Sequence, residues 1–413
     1  MTLKYELNTD EFYAYGHLYE LWACVDTKIV LSEQVDESKL SKAISATFRR
    51  LPYFKVRVCV ATGPERYVLE TNNLPFQIVQ ADDYMALSDT RSGGHLITIT
   101  YTMNTMRIRI SHAICDAYGM NLFISFLLCD YFSGEDGDEA YFPLSNEATE
   151  DELAIEYANP FDYLSSVEKN SEIKNISSFT FGEDEVSEKS LSFTRVTLPG
   201  DAYLSFAKEN ESSVAAVGAW ILMRAILNIR DTGSLPLSVA VPCDMRNILG
   251  CKGNMRNCNI DLKLTMHLKM MDKSSDYQLS CLRSQLFANM YEPVAMSRMN
   301  SSKEGWLEAC KFHTIRERTD YYETGEGLDE VPIVTYLGSL DIGKYEEKVK
   351  EFHQYVPIFG KAGILMAINY HHNNFELNIS SDLKDWDKYL DSLSFFLKEI
   401  GMSATIDRIS MER

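Results

Sequence analysis

The chain has 413 residues, of which 45% are hydrophobic, and a net charge of −20. This composition predicts a globular protein with a sizeable core, and the acidity argues against nucleic acid as a partner. No apolar run approaches the roughly 18 residues of a membrane-spanning helix, and the N-terminus lacks the pattern of a secretory signal peptide. Nine cysteines occur without a Cys-x-x-Cys pair. We therefore expect reduced thiols and a cytoplasmic protein.

The negative charge is concentrated in residues 134–190, which contain 16 acidic residues and three lysines. A charge run of this composition is typical of a solvated crossover between two halves of a protein. The alternative interpretation is a docking surface for a basic partner.

The first quarter of the chain predicts alternating strands and one helix. The aromatic-rich stretch from Phe12 to Trp22 predicts a strand or a bent segment. Asp36 or Ser38 is expected to cap a helix that ends at Pro52. Three strands are expected at residues 25–31, 56–60 and 96–102, and the last of them is followed by a turn at 103–105.

A strand-to-helix turn around residue 112 holds the clearest candidate chemistry. Ile108 and Ile110 alternate with polar residues and predict a short strand, and an apolar helix follows. His112 lies between them, with Asp116 four residues later. A histidine at such a turn can present a ring nitrogen to a cleft, and its near-neutral pKa suits a general base.

The second half of the chain also alternates between strands and helices. Ser212-Ser213 is expected to cap an apolar helix. The unbroken apolar run 237–241 predicts a buried strand, which continues into Asp244-Met-Arg246 and then Gly253-Asn254. The other strands are expected at 191–198, 260–266, 331–336, 363–371 and 374–380. The helices are expected at 214–229, 274–297, 303–318 and 384–399.

The stretch Ser111-His112-Ala-Ile-Cys-Asp116-Ala117 resembles the His-His-x-x-x-Asp-Gly motif of the chloramphenicol-acetyltransferase-like superfamily. This superfamily includes thioester-dependent acyltransferases, alcohol acetyltransferases and the condensation domains of peptide synthetases. Its members also place an Asp/Asn-x-Arg and a Gly-Asn later in the chain, in the order seen here. Two motif positions differ, since Ser111 replaces the first His and Ala117 the Gly. The Asp-Phe-Gly-Trp-Gly motif of the plant branch is absent from the sequence.

The resemblance, which extends over nearly the whole chain, implies an α/β fold of two chloramphenicol-acetyltransferase-like subdomains. Each would be a mixed sheet with flanking helices, and the two would form a V around a central tunnel. The expected division is a first subdomain with the motif at 1–165, an acidic crossover at 166–190 and a second subdomain at 191–413.

The resemblance also implies transfer of an acyl group from a thioester to a small-molecule hydroxyl or amine. His112 would be the general base, and Asp116 would pair with Arg246 to brace the catalytic loop. Three further residues are candidates for the oxyanion donor or the tunnel lining: Asn254, Thr335 and Ser339. No permanently bound cofactor and no metal are implied.

The thioester donor would be acyl-CoA or the phosphopantetheine arm of a carrier protein. Carrier proteins of this type are usually acidic, so an acidic enzyme would repel them. We therefore favour acyl-CoA. The cations expected to hold its phosphates form two runs in the sequence, Arg246, Lys252 and Arg256, and Lys311, Arg316 and Arg318.

Two other classes of function stay open. One is a non-catalytic relative that keeps the tunnel for binding, which Ser111 and Ala117 suggest. The other is an interaction or assembly protein built around the acidic segment 134–190. Two lesser alternatives are a nucleophilic Cys115 activated by His112 and a metal site at His371-His372. A buried thiol is the common fate of a residue like Cys115, and the histidine pair has no third ligand spaced nearby.

Overall fold

The computed structural model describes residues 3–9, 11–15, 23–61, 63–133, 149–164, 177–187, 191–324, 331–358 and 362–410. The strands are β1 Lys4–Glu6, β2 Cys24–Leu31, β3 Val56–Val60, β4 Tyr67–Thr71, β5 Ile78–Gln80, β6 Ile97–Thr102, β7 Thr105–Ser111, β8 Ser192–Pro199, β9 Leu237–Asp244, β10 Asn259–Met266, β11 Ile333–Ser339, β12 Val349–Tyr355, β13 Ile364–His371, β14 Asn374–Ser381 and β15 Thr405–Ile409. The helices are α1 Glu11–Ala14, α2 Glu37–Arg50, α3 Ala117–Ser133, α4 Glu150–Glu156, α5 Gly200–Glu209, α6 Val214–Leu227, α7 Arg246–Leu249, α8 Ser275–Met290, α9 Glu292–Ala309, α10 Ile315–Thr324 and α11 Trp386–Glu399.

Local signals account for the helices that flank the site. Asp36 caps α2 by accepting a hydrogen bond from the backbone N–H of Lys39 at 3.0 Å, as the sequence predicts. Ser213 likewise caps α6 by accepting from the N–H of Ala216. Helix α3 has no polar face in its central turns, and it packs against α2 and strand β11. A helix that is apolar all round belongs inside the protein.

The first sheet has the strand order β12-β2-β7-β6-β5 and carries the motif strand β7 near its centre. Its edge strand, β12, comes from residues 349–355 in the second half of the chain and pairs antiparallel with β2. The sequence predicts no strand there. A separate three-stranded sheet, β1-β4-β3, lies in the first half of the chain.

The second sheet has the order β10-β9-β11-β13-β14-β8-β15. Strand β11 runs parallel to both of its neighbours, whereas the other pairs are antiparallel, so the sheet is mixed as expected. Helices α6 and α11 pack together beside it, and their apolar side chains form the core of the second half. The core of the first half is contiguous with residues from β11 and β12.

Two predicted helices differ from the structure. The helix expected at 274–297 is divided into α8 and α9 at Tyr291, whose backbone is not helical. Pro293 lies in the first turn of α9, where its missing N–H costs no hydrogen bond. The helix expected at 303–318 is likewise replaced by the end of α9 and by α10.

Several predicted segments lie partly outside the described residues. These are 16–22 of the aromatic opening and 134–148, 165–176 and 188–190 of the acidic segment. In the described part of the opening, residues 11–14 form the short helix α1. No helix within the described ranges is both long and apolar enough to cross a bilayer.

Candidate active site

The turn that carries His112 is held at its backbone from three sides. The N–H of His112 donates to the carbonyl oxygen of Ala23 at 2.7 Å, and the Asn257 side-chain amide donates to the His112 carbonyl oxygen at 2.7 Å. The hydroxyl of Tyr53 donates to the carbonyl oxygen of Ile114 at 2.9 Å. These contacts come from elements far apart in the sequence, so the position of the turn depends on both halves of the chain.

The imidazole of His112 lies against an aromatic ring. Tyr13 of α1 stacks on it with the ring centroids 4.1 Å apart and the planes 9° from parallel. The His112 side chain is half-buried, and its Nδ1 atom is shielded from solvent. The Nδ1 edge of the ring therefore faces the protein.

Asp116 and Arg246 form a buried ion pair between the two halves of the chain. The Nη2 atom of Arg246 donates to both carboxylate oxygens of Asp116, at 2.8 and 2.9 Å. The backbone N–H of Cys258 donates to the same carboxylate at 3.0 Å. Both side chains are nearly inaccessible, with 6% of Asp116 and 3% of Arg246 exposed. The pair thus joins the start of α3 to α7 and to the segment before β10.

The Arg246 guanidinium has further partners that fix its direction. It donates to the carbonyl oxygens of Asn254 at 2.6 Å and Arg256 at 2.7 Å, and to the carboxylate of Asp244 at 2.9 Å. Burial by itself would lower the pKa of Arg246. The carboxylates of Asp116 and Asp244 outweigh that effect and raise the pKa above its ordinary value. Arg246 therefore stays charged, and its guanidinium holds the Asp116 carboxylate in place.

Residues 251–258 contact the Arg246 guanidinium through their backbone carbonyl oxygens, and Asn254 belongs to this segment. Its amide donates to the carbonyl oxygens of Ile155 and Ala158, both at 2.9 Å, and its Oδ1 accepts from the N–H of Arg256 at 3.0 Å. Asn254 is fully buried and does not line the cavity beside the turn. Its observed contacts are structural.

Helix α3 approaches the 251–258 segment closely at Gly119. A Cβ atom at this position would clash with the carbonyl oxygen of Met255. The sulfur atoms of Cys251 and Cys258 lie 3.7 Å apart in the same segment, and both residues are buried.

A cavity of about 330 Å³ lies beside the ion pair, between α3, β9 and β11. Thr335 and Ser339 of β11 line it, the former half-buried and the latter exposed. Its other lining residues from the motif region include Asp116, Ala117, Tyr118, Asn121 and Arg246. His112 is not among the described residues that line it. The structure therefore groups Thr335 and Ser339 with the ion pair and with α3.

The residues that differ from the superfamily motif have different environments. Ser111 is fully buried, and its hydroxyl accepts a hydrogen bond from the N–H of Ala113 at 3.2 Å. Ala117 is half-buried and faces the cavity. Cys115 is fully buried.

The two basic runs in the sequence do not form the expected surface patches, so that prediction is wrong. Arg246, Arg256 and Arg318 are each 2% exposed. Arg256 donates to the carbonyl oxygen of Glu6 at 2.8 Å and to Asn8 at 3.0 Å, which ties it into the first half of the chain. An arginine whose donors are used internally cannot hold a CoA phosphate.

The histidine pair at the end of β13 is a local contact. The ring centroids of His371 and His372 lie 3.9 Å apart. Burial, and to a smaller extent the neighbouring His372, lowers the pKa of His371 to about 4. Among the described residues, no group of three His, Cys, Asp or Glu side chains is arranged to hold a metal ion.

Two residues that contact the turn, Tyr13 and Asn257, could not be identified from the sequence. Tyr13 belongs to the aromatic opening, but nothing in its spacing connects it with His112, about a hundred residues later. Asn257 lies three residues after Asn254, but no motif in the sequence marks it as a contact of the turn.

No protein-family profile and no curated protein matches the chain. Solved structures match it over nearly its full length. Polyketide synthase associated protein 5 from Mycobacterium tuberculosis is 15% identical, with a TM-score of 0.64 over 96% of each chain. The condensation domain of the Monacolin K polyketide synthase MokA is 13% identical, with a TM-score of 0.60 over 95% of this chain and 97% of that one.

These matches, together with the two mixed sheets, show that the chain has the α/β fold of these structures. The fold class expected from the motifs is thus confirmed. One further structure with this fold is TRI101 of F. graminearum in complex with ethyl coenzyme A. It is 12% identical, with a TM-score of 0.65 over 98% of this chain and 100% of that one.

Proposed function

We propose that this protein is an acyltransferase that moves an acyl group from acyl-CoA to a hydroxyl or amine of a small molecule. The observation that carries the proposal is the geometry of the turn. His112 is half-exposed at the end of β7, while Asp116 is directed into an ion pair with Arg246. Because its carboxylate is bound by Arg246, Asp116 holds the loop, and we assign the chemistry to His112.

In the proposed reaction, Nε2 of His112 takes the proton from the acceptor hydroxyl or amine. The acceptor oxygen or nitrogen forms a bond to the thioester carbonyl carbon, and the carbonyl electrons move to the oxygen. When this tetrahedral intermediate collapses, the carbon–sulfur bond breaks and the imidazolium returns the proton to the departing thiolate. No bond forms between the substrate and the protein.

Asp116 and Arg246 support this reaction through position alone in our proposal. Thr335 and Ser339 are our candidates for donors to the oxyanion, or for contacts with the thioester arm, because their hydroxyls lie in the cavity between the two halves. A cavity of about 330 Å³ is within the range of small-molecule sites. Asn254 has no such part, since its amide is fully used by backbone groups.

Acyl-CoA is proposed as the donor on two grounds. TRI101, which has the same fold, was solved with ethyl coenzyme A. The net charge of −20 also disfavours association with an acidic carrier protein. Initial rates with one acyl group presented on CoA and on a carrier protein, at low and high salt, test this choice. A carrier-bound donor that reacts much faster at low salt would contradict it.

A non-catalytic binding protein is the second candidate. It is favoured by the finding that His112 does not line the cavity with Thr335 and Ser339, and by Ala117 at the position of the motif glycine. Such a protein would bind a CoA thioester without turning it over.

Replacement of His112 by alanine separates the two candidates. For the acyltransferase we expect kcat to fall by about 10²- to 10⁴-fold, which is typical of a lost general base. The dissociation constant of an unreactive CoA thioether, measured by calorimetry, should stay the same. His313→Ala is the matched control, because His313 is an exposed histidine outside the turn. Wild-type turnover no greater than that of His112→Ala would favour the binding protein.

A further inference from the structure

The contact between Tyr13 and His112 does more than fill space. The two rings are nearly parallel, 9° apart, with centroids separated by 4.1 Å. A phenol ring so placed covers one face of the imidazole and leaves the ring edge, which carries the nitrogens, free of the stack. The imidazole cannot rotate about its side-chain axis without losing this contact.

The main chain of His112 is fixed independently of the stack. Ala23 and Asn257 hold its N–H and its carbonyl oxygen, respectively. These backbone contacts place the Cα atom but leave the ring torsion undetermined. The stack on Tyr13 is a contact of the imidazole ring itself, which the backbone contacts do not provide.

The stack also bears on the charge that the proposed reaction creates. When His112 takes a proton, its ring becomes an imidazolium directly over the π face of Tyr13. A cation within about 6 Å of a tyrosine centroid is attracted by the ring quadrupole. The attraction is stronger for the imidazolium than for the neutral ring, so it favours the transition state over the ground state.

We propose that Tyr13 is a positioning residue for His112, which holds the imidazole plane and stabilises the imidazolium formed during acyl transfer. The proposal rests on the acyltransferase function proposed above. A cation–π contact of this kind corresponds to roughly 3- to 30-fold in rate. Because the face and not the hydroxyl makes the contact, phenylalanine should substitute for tyrosine and leucine should not.

The experiment compares Tyr13→Phe with Tyr13→Leu in the full-length chain. The ring-proton resonances of His112 are observed by NMR in protein with ¹³C-labelled histidine, and they are assigned by their disappearance in His112→Ala. In the wild type and in Tyr13→Phe, the aromatic ring current should shift these resonances upfield. In Tyr13→Leu they should move downfield, kcat should fall by about 3- to 30-fold, and KM should change by less than about twofold.

Two further variants control for folding. Tyr277→Leu removes an aromatic residue of α8 that is 51% exposed, and it should leave the resonances and kcat unchanged. If leucine at position 13 prevents folding, Tyr13→Met replaces it, since methionine is apolar and long but has no ring current. Thermal midpoints of all variants are measured together with the rates.

Each other outcome overturns the proposal. If the His112 resonances do not move in Tyr13→Leu, the stack does not exist in solution. If they move and kcat stays within about twofold of the wild type, the stack exists but does not assist the reaction. If the wild type itself shows no turnover, the acyltransferase proposal has failed, and the role of Tyr13 fails with it.

Discussion

Removing Asp116 should destabilise the protein by breaking its ion pair with Arg246. Loss of one partner of a buried pair typically costs about 3–5 kcal/mol. In Asp116→Ala, Arg246 keeps the carboxylate of Asp244 at 2.9 Å, and that side chain is 51% exposed. Because some compensation of the charge remains, we expect a loss near the lower end, about 3 kcal/mol in the free energy of unfolding.

Removing Arg246 should cost more. The Asp116 carboxylate would stay buried with its charge, supported by the backbone N–H of Cys258. The carbonyl oxygens of Asn254 and Arg256 would also lose the guanidinium that donates to them. Arg246→Ala should therefore lower the free energy of unfolding by about 5 kcal/mol.

The two losses should not add. Since each single variant already breaks the pair, we expect the double variant to lose about as much as Arg246→Ala, which is a coupling of about 2–3 kcal/mol. Urea unfolding followed by tryptophan fluorescence and by circular dichroism measures these values, with coincident transitions as the test of two-state behaviour. The exposed pair Arg66–Glu6 is the control, with an expected coupling below about 1 kcal/mol. Additivity of the Asp116 and Arg246 effects within about 0.5 kcal/mol would refute the reasoning.

Three further predictions concern stability, each read from urea midpoints. Gly119→Ala should lower the free energy of unfolding by at least about 2 kcal/mol, because the new Cβ would clash with the Met255 carbonyl. The control Gly305→Ala in α9 should be neutral or stabilise by up to about 1 kcal/mol. Equal effects of the two substitutions would show that the clash relaxes. Asn254→Ala should lower the free energy of unfolding by about 2–3 kcal/mol and leave KM for the thioester unchanged within about twofold. A large change in KM would place Asn254 at the substrate. Burial raises the pKa of Asp130 to about 6, so the folded state binds more protons than the unfolded state and stability should fall as pH rises from about 4 to about 6. Asp130→Asn should flatten that slope and raise stability above pH 6 by about 1 kcal/mol, after allowance for solvent screening; an unchanged slope would contradict this.

The parts of the fold that depend on near neighbours in the chain were predictable. Asp36 and Ser213 are N-caps because a short polar side chain can reach the N–H three residues later. The strand before His112 follows from alternation over a few residues. The order of strand, turn and helix around the motif was therefore readable from the sequence, and the resemblance built on it indicated the fold.

Contacts between distant parts of the chain were not predictable. Strand β12 joins the first sheet because β2 offers it a free edge, and no local pattern names a pairing partner. Arg256 appears in the sequence as a surface cation, but Glu6 and Asn8 satisfy it inside the protein. Asn254 was expected at a channel because of the resemblance to the superfamily, and the resemblance does not show that its amide is bound by the backbone of residues 155 and 158.

The candidate site shows the same division. His112, Asp116 and Arg246 could be selected because they match the motifs of the superfamily that the sequence resembles, and a histidine suits a general base. The stack of Tyr13 on His112 and the hydrogen bond from Asn257 could not, because stacking and amide contacts are made by many aromatic and polar residues throughout a chain. Folding of the first half brings Tyr13 to the turn, and packing of the second half against it brings Asn257. These residues are far apart in sequence and close only in the folded chain.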